Sequence, residues 1–67
     1  MKLQKEIGQK IKTIRQEKEM SQQKLSDLSD VEQKYISNIE KGKVNLTLST
    51  LERLAESLDK KVKIDLL

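Results

Sequence analysis

The chain has 67 residues, no cysteine or histidine, a single aromatic residue and a net charge of +3. So short a chain holds one domain, close to the lower limit for folding without a staple, and the missing cysteines and histidines exclude disulfides and the usual zinc sites. The charge is too small to indicate a nucleic-acid partner by itself, and one tyrosine, Tyr35, cannot build the stacking surface of a single-strand or RNA-recognition protein.

The first predicted helix runs from Lys2 to Lys18, with Leu3, Ile7, Ile11 and Ile14 on one stripe at spacings of four, four and three. Gly8 interrupts it at a cost of about 1 kcal/mol relative to alanine, which points to a close approach by another element. Ser21 is a good N-cap for a second helix whose apolar face is Leu25 and Leu28. Asp30 follows at a turn, being one of the few residue types besides glycine that tolerate a left-handed backbone. Val31 fills the corner. A third helix from Glu32 to Lys41 buries Ile36 and Ile39, and Gly42 supplies its stop.

Thr47 caps a fourth helix with a dense stripe of Leu48, Leu51, Leu54, Ala55 and Leu58. Beyond Asp59 the period changes. Residues 60–66 alternate charged and apolar side chains in the manner of a strand, which has no partner in a small helical chain. It either pairs with a second copy or stays a frayed tail. The expected division is a domain over 1–59 and a tail or dimerisation strand over 60–67.

Ser21 to Gly42 therefore reads as two short helices folded through a tight turn, the layout that places a second helix in a DNA major groove. On that helix Gln33, Lys34, Ser37 and Asn38 fall on one face opposite Ile36 and Ile39. Amides bond adenine in a bidentate way and lysine reaches guanine acceptors. An ordinary solvated helix would carry the same residues, so the face alone does not decide.

The segment from Ile7 to Leu58 resembles the Cro/repressor (XRE) helix-turn-helix family of bacterial and phage regulators. The likeness rests on Ile7-Gly8, Ile11-Lys12 and Arg15, then Ser21-Gln22 and Leu25. It continues through Val31, Tyr35-Ile36-Ser37 and Ile39-Glu40-Lys41-Gly42 to Thr47-Leu48, Thr50-Leu51 and Leu54-Ala55. It implies an all-α fold, a compact four- to five-helix bundle of the lambda-repressor-like type, with a short C-terminal strand as an optional addition. It implies DNA binding by Gln22, Gln33, Lys34, Ser37, Asn38, Lys41 and Lys43, with Asn45 and Lys12 as weaker candidates. Gln22 would meet the DNA backbone at a helix N-terminus and brace the third helix, and Lys41 and Lys43 would line the phosphates. Arg15 and Glu40 would form a structural ion pair, and Tyr35 would pack.

The chain departs from the family pattern at three places. Asp30 stands where glycine is usual and Glu32 where a capping serine is usual, each adding negative charge beside the expected phosphates. Ser26 replaces the usual alanine and is expected to loosen packing.

The resemblance implies a sequence-specific regulator, a repressor of a palindromic operator, acting on double-stranded DNA as a homodimer through residues 61–67 and part of the fourth helix. It needs no cofactor and no metal. A short regulator ending in such a strand resembles antitoxins, which bind a protein (toxin) partner; it is also similar to restriction–modification controllers and small phage repressors, though those more often end in helices. The competing reading is a protein-interaction module with weak or lost DNA binding, favoured by Asp30 and Glu32. An enzyme is disfavoured, because Ser37 has no evident base and no Gly-rich phosphate loop is present. No apolar run approaches a membrane span and no signal-peptide pattern is seen, so a cytoplasmic protein without membrane association is expected.

Overall fold

The computed structural model describes residues 2–65, which form four helices: α1 (Lys2–Glu17), α2 (Gln22–Ser29), α3 (Gln33–Glu40) and α4 (Leu48–Ser57). α3 packs against both α1 and α2, and α4 packs against α2. The core is small, consisting of Ile11, Leu25, Val31, Ile36, Ile39, Leu54 and Leu58. Half-buried Ile7, Ile14, Met20, Tyr35, Val44, Leu46 and Leu51 surround it. All four helices contribute, so no helix hides its apolar stripe alone.

The boundaries follow from local chemistry. Ser21 Oγ accepts from the Lys24 amide at 3.0 Å, and Thr47 Oγ1 accepts from the Thr50 amide at 3.1 Å, each satisfying a donor that a helix start leaves open. Ser21→Ala should therefore cost about 1 kcal/mol, read as a lowered urea midpoint with an unchanged slope. At α3 the cap position is Glu32, which makes no side-chain capping bond. The predicted third helix is thus one residue too long at each end, and the first extends one residue beyond the observed Glu17.

The turn between α2 and α3 is stitched by hydroxyls. Asp30 takes a left-handed conformation (φ 60°) and its amide donates to Ser26 O at 2.9 Å. Ser26 Oγ donates to Val31 O at 2.6 Å, so the serine expected to loosen this site instead ties α2 to the turn. Ser29 Oγ donates to Leu25 O at 2.7 Å and accepts from the Val31 amide. Glu19 (φ 53°) and Asp59 (φ 57°), just past α1 and α4, are also left-handed.

Gly8 answers for its place in α1. A Cβ there would land on the Ile39 carbonyl oxygen and lie 3.1 Å from Ile39 C, so its absence lets the α1 and α3 backbones approach. Gly42 (φ 72°) closes α3 against the stem of Lys5.

Three apolar positions differ from the sequence expectation. Leu3 is 55% exposed, Leu28 51% and Leu48 71%. Each lies on the predicted stripe but at the end of a helix, beyond the reach of the few neighbours this domain has. Residues 60–65 form no strand, since a single strand has nothing in its own chain to pair with. Leu66, part of the expected strand, falls outside the described residues, as does Leu67.

Candidate nucleic-acid interface

The arrangement of α2 and α3 depends on a polar cluster buried where α1, α2 and α3 meet. Arg15 donates to Glu40 twice, Nε to Oε2 at 2.8 Å and Nη2 to Oε1 at 3.0 Å. Its third arm, Nη1, donates to Met20 O at 2.7 Å. Both side chains are almost wholly removed from water. Hydrogen bonding to Glu40 holds the Arg15 guanidinium above its ordinary proton affinity, against the opposing pull of burial. The resemblance implied this ion pair, and it is present as a two-pronged bridge from α1 to the C-terminal end of α3.

Gln22 joins the same cluster. Its Nε2 donates to Glu40 Oε1 at 3.0 Å, so the residue that opens α2 is fixed to the helix it was expected to brace. Its Oε1 takes no part in that bond. Sequence reasoning named Gln22, Arg15 and Glu40 but missed that one carboxylate joins all three helices. The resemblance implied the Arg15–Glu40 pair and the bracing role of Gln22 separately, and no sequence signal joined the two through one carboxylate.

The expected reading face divides by exposure. Gln33 and Lys34 are exposed, whereas Ser37 and Asn38 are half-buried. The first turn of α3 thus projects furthest, and Ser37 and Asn38 lie lower on the surface. The backbone carbonyl of Asn38 accepts from the Lys43 amide at 3.0 Å, folding the following loop back onto α3. Lys41 and Lys43 are exposed on either side of Gly42. Asn45 is bonded by Gln4 of α1, and its carbonyl accepts from the Tyr35 hydroxyl at 3.4 Å. Tyr35 packs half-buried against the core, and Lys12 is also half-buried. Two carboxylates, Asp30 and Glu32, stand exposed just before α3.

No group of three or more His, Cys, Asp or Glu side chains could hold a metal ion among the described residues. No helix among them is long and apolar enough to cross a membrane.

Residues 11–64 match the helix-turn-helix family model. The chain is 38% identical over 52 residues to the immunity repressor protein of Bacillus phage phi105, covering 78% of this chain and 36% of that protein. It is 43% identical over 53 residues to the control protein C.BamHI of Bacillus amyloliquefaciens, covering 78% of this chain and 65% of that one. The chain thus spans about a third of the first relative and just under two thirds of the second. Among solved structures, the restriction-modification controller protein C.AhdI from Aeromonas hydrophila superposes with a TM-score of 0.87 at 30% identity, covering 91% of this chain and 92% of that one. The controller protein C.Esp1396I, solved as a tetramer with its natural 35 base-pair operator, gives 0.84 at 37% identity, covering 88% of this chain and 78% of that one. The family model spans most of the chain, and the helix pair it describes is the one held together by Arg15, Gln22 and Glu40; the chain belongs to the Cro/repressor (XRE) helix-turn-helix family.

Proposed function

We propose that this chain is a sequence-specific double-stranded DNA-binding transcriptional regulator, a repressor that binds a palindromic operator as a dimer with α3 in the major groove. The observation that carries the reading is the close superposition on a controller protein solved on its operator. The polar first turn of α3 and the exposed Lys41 and Lys43 beside it agree with that use. In this reading Gln33, Lys34, Ser37 and Asn38 meet base edges, while Gln22, Lys41 and Lys43 meet phosphates. Asp30 and Glu32 oppose the approach of DNA and reduce affinity without altering what is read. A regulator of this kind works in the cytoplasm, where the nucleoid is.

A single copy measures 34 × 23 × 21 Å and carries one recognition helix. Two half-sites about 34 Å apart need two copies, with residues 61–67 and part of α4 as the pairing surface. Val62 and Ile64 are exposed there, as an unpaired contact surface requires. Both solved relatives are restriction-modification controllers, which favours an operator-binding role over a toxin-binding one.

The test is fluorescence-anisotropy binding to the chain's own upstream DNA, as a salt series beside a scrambled duplex. Tight binding to the first alone is expected. Gln33→Ala or Asn38→Ala should each weaken it by about 1–3 kcal/mol. Lys41→Ala and Lys43→Ala should each lower the slope of log K against log salt by about 1. Equal, weak binding to both duplexes would leave only a basic surface, and absent binding would point to a protein-interaction module.

A further inference from the structure

The space a side chain on Gly42 would need is taken by a lysine from α1. The Lys5 Cγ lies 2.7 Å, and its Cα 3.1 Å, from where a Cβ on Gly42 would stand. The Lys5 stem therefore crosses the loop between Lys41 and Lys43, the two lysines proposed to meet phosphates. Further contacts fix the same stretch. Gln4 donates to the Asn45 side chain, and the Tyr35 hydroxyl donates to the Asn45 carbonyl at 3.4 Å. The Gly42 and Lys43 amides donate to Ile39 O and Asn38 O at 2.9 and 3.0 Å. The first turn of α1 and residues 41–45 are thus one continuous surface, pinned to the end of α3.

Lys5, Lys41 and Lys43 are all exposed on it. The carboxylates of this region are either engaged or turned elsewhere. Glu40 is held by Arg15 and Gln22. Asp30 and Glu32 stand at the other end of α3, about 12 Å away for a helix of this length. Glu6 follows Lys5 but is turned about 100° further round α1, away from the side on which Gln4, Lys5 and Gly8 meet α3 and its loop. Lys5 also precedes the stretch 11–64 that matches the family model, so the match assigns it no role. Resting on the DNA-binding reading above, we propose that the first turn of α1 is a third part of the interface, in which Lys5 binds a backbone phosphate beside those met by Lys41 and Lys43. A stem already laid across the loop has less freedom to lose on binding than one standing free in water. Three cations then gather at the C-terminal end of α3, opposite the two carboxylates at its start. The strand is held most firmly where it passes residues 41–45, which offsets the repulsion at Asp30 and Glu32 without touching a base.

The test uses the full chain with Lys5→Gln, in a salt series on its own upstream duplex and on the scrambled one. Affinity should fall about as much as for Lys41→Ala, and by the same factor on both duplexes, because a phosphate carries no sequence. The deficit should shrink about threefold between roughly 50 and 200 mM salt, as the loss of one phosphate contact requires. Lys5→Arg should keep wild-type affinity, and the melting temperature should not change in either variant. Single methylphosphonates placed along the upstream duplex should include one position at which Lys5→Gln no longer matters. Glu6→Gln changes the net charge by the same amount in the opposite sense, and should leave binding unaltered. A gain in affinity for Glu6→Gln equal to the loss for Lys5→Gln would reduce the effect to net charge and overturn the contact. Wild-type binding that Lys5→Gln leaves intact in strength and salt dependence would overturn the proposal alone. A wild-type chain that binds neither duplex would overturn the DNA-binding reading and the proposal with it.

Discussion

Substituting Arg15 with methionine is expected to remove about 3–5 kcal/mol of stability, because it strands the Glu40 carboxylate in the interior. So small a domain rarely has more than about 3–5 kcal/mol in total, so the variant should be largely unfolded at room temperature by circular dichroism. Replacing both partners, Arg15→Met with Glu40→Met, should recover most of the loss, since an apolar pair of similar volume avoids the desolvation of two charges. The recovery should not extend to DNA. Among the described residues Glu40 alone fixes the Gln22 amide, and without that bond the Gln22 side chain is free to turn. A folded double variant with operator affinity lowered at least tenfold is the expected result. Full recovery of both stability and binding would reduce the cluster to a packing device.

The second large effect belongs to Gly8→Ala. On an isolated helix the change would stabilise by about 1 kcal/mol. Here the new methyl meets the Ile39 carbonyl, and neither backbone can move aside as a side-chain tip could. Overpacking of this kind costs about 1–3 kcal/mol or more, so a net loss of about 2 kcal/mol is expected, or about 8–16 °C in Tm for a domain of this size. Glu6→Ala on the solvent side of the same helix should stay within about 0.5 kcal/mol. Because the displaced element is α3 itself, operator binding should fall even at temperatures where the variant is fully folded. A stability loss with unchanged affinity would show that α1 merely supports α3 without setting its angle.

These two residues also mark where the sequence could be read and where it could not. Gly8 announced a close approach because a glycine inside a good helix former needs a reason, though only the fold names Ile39 as the neighbour. Ser21, Thr47, Asp30 and Gly42 were legible because capping and left-handed turns are local, decided within a few residues. Leu3, Leu28 and Leu48 were misread for the opposite reason. Periodicity says which side of a helix is apolar, but not whether a neighbour extends far enough to cover its end. The candidate interface was legible as a list, since residue type and spacing put Gln33, Lys34, Ser37 and Asn38 on one face. Their unequal exposure was not, nor was the sharing of Glu40 between Arg15 and Gln22, which depends on how three helices converge. Ser26 was misjudged because its partner, the Val31 carbonyl, becomes available only once the turn has formed.

Glu19, Asp30 and Asp59 close the ends of three helices in the left-handed region with acidic side chains. Relative to glycine each carries about 1 kcal/mol of backbone strain, and a negative charge at a helix C-terminus opposes the dipole there. The same three residues are thus expected to lower stability relative to glycine at those positions, which raises the fraction of copies open at any moment. For a protein in a cell, that fraction is what proteases degrade. If the chain acts as the DNA-binding regulator proposed above, its lifetime is expected to be short when free and longer when bound DNA holds it folded, so that its abundance would follow the number of occupied sites; a pulse-chase with and without operator copies checks this.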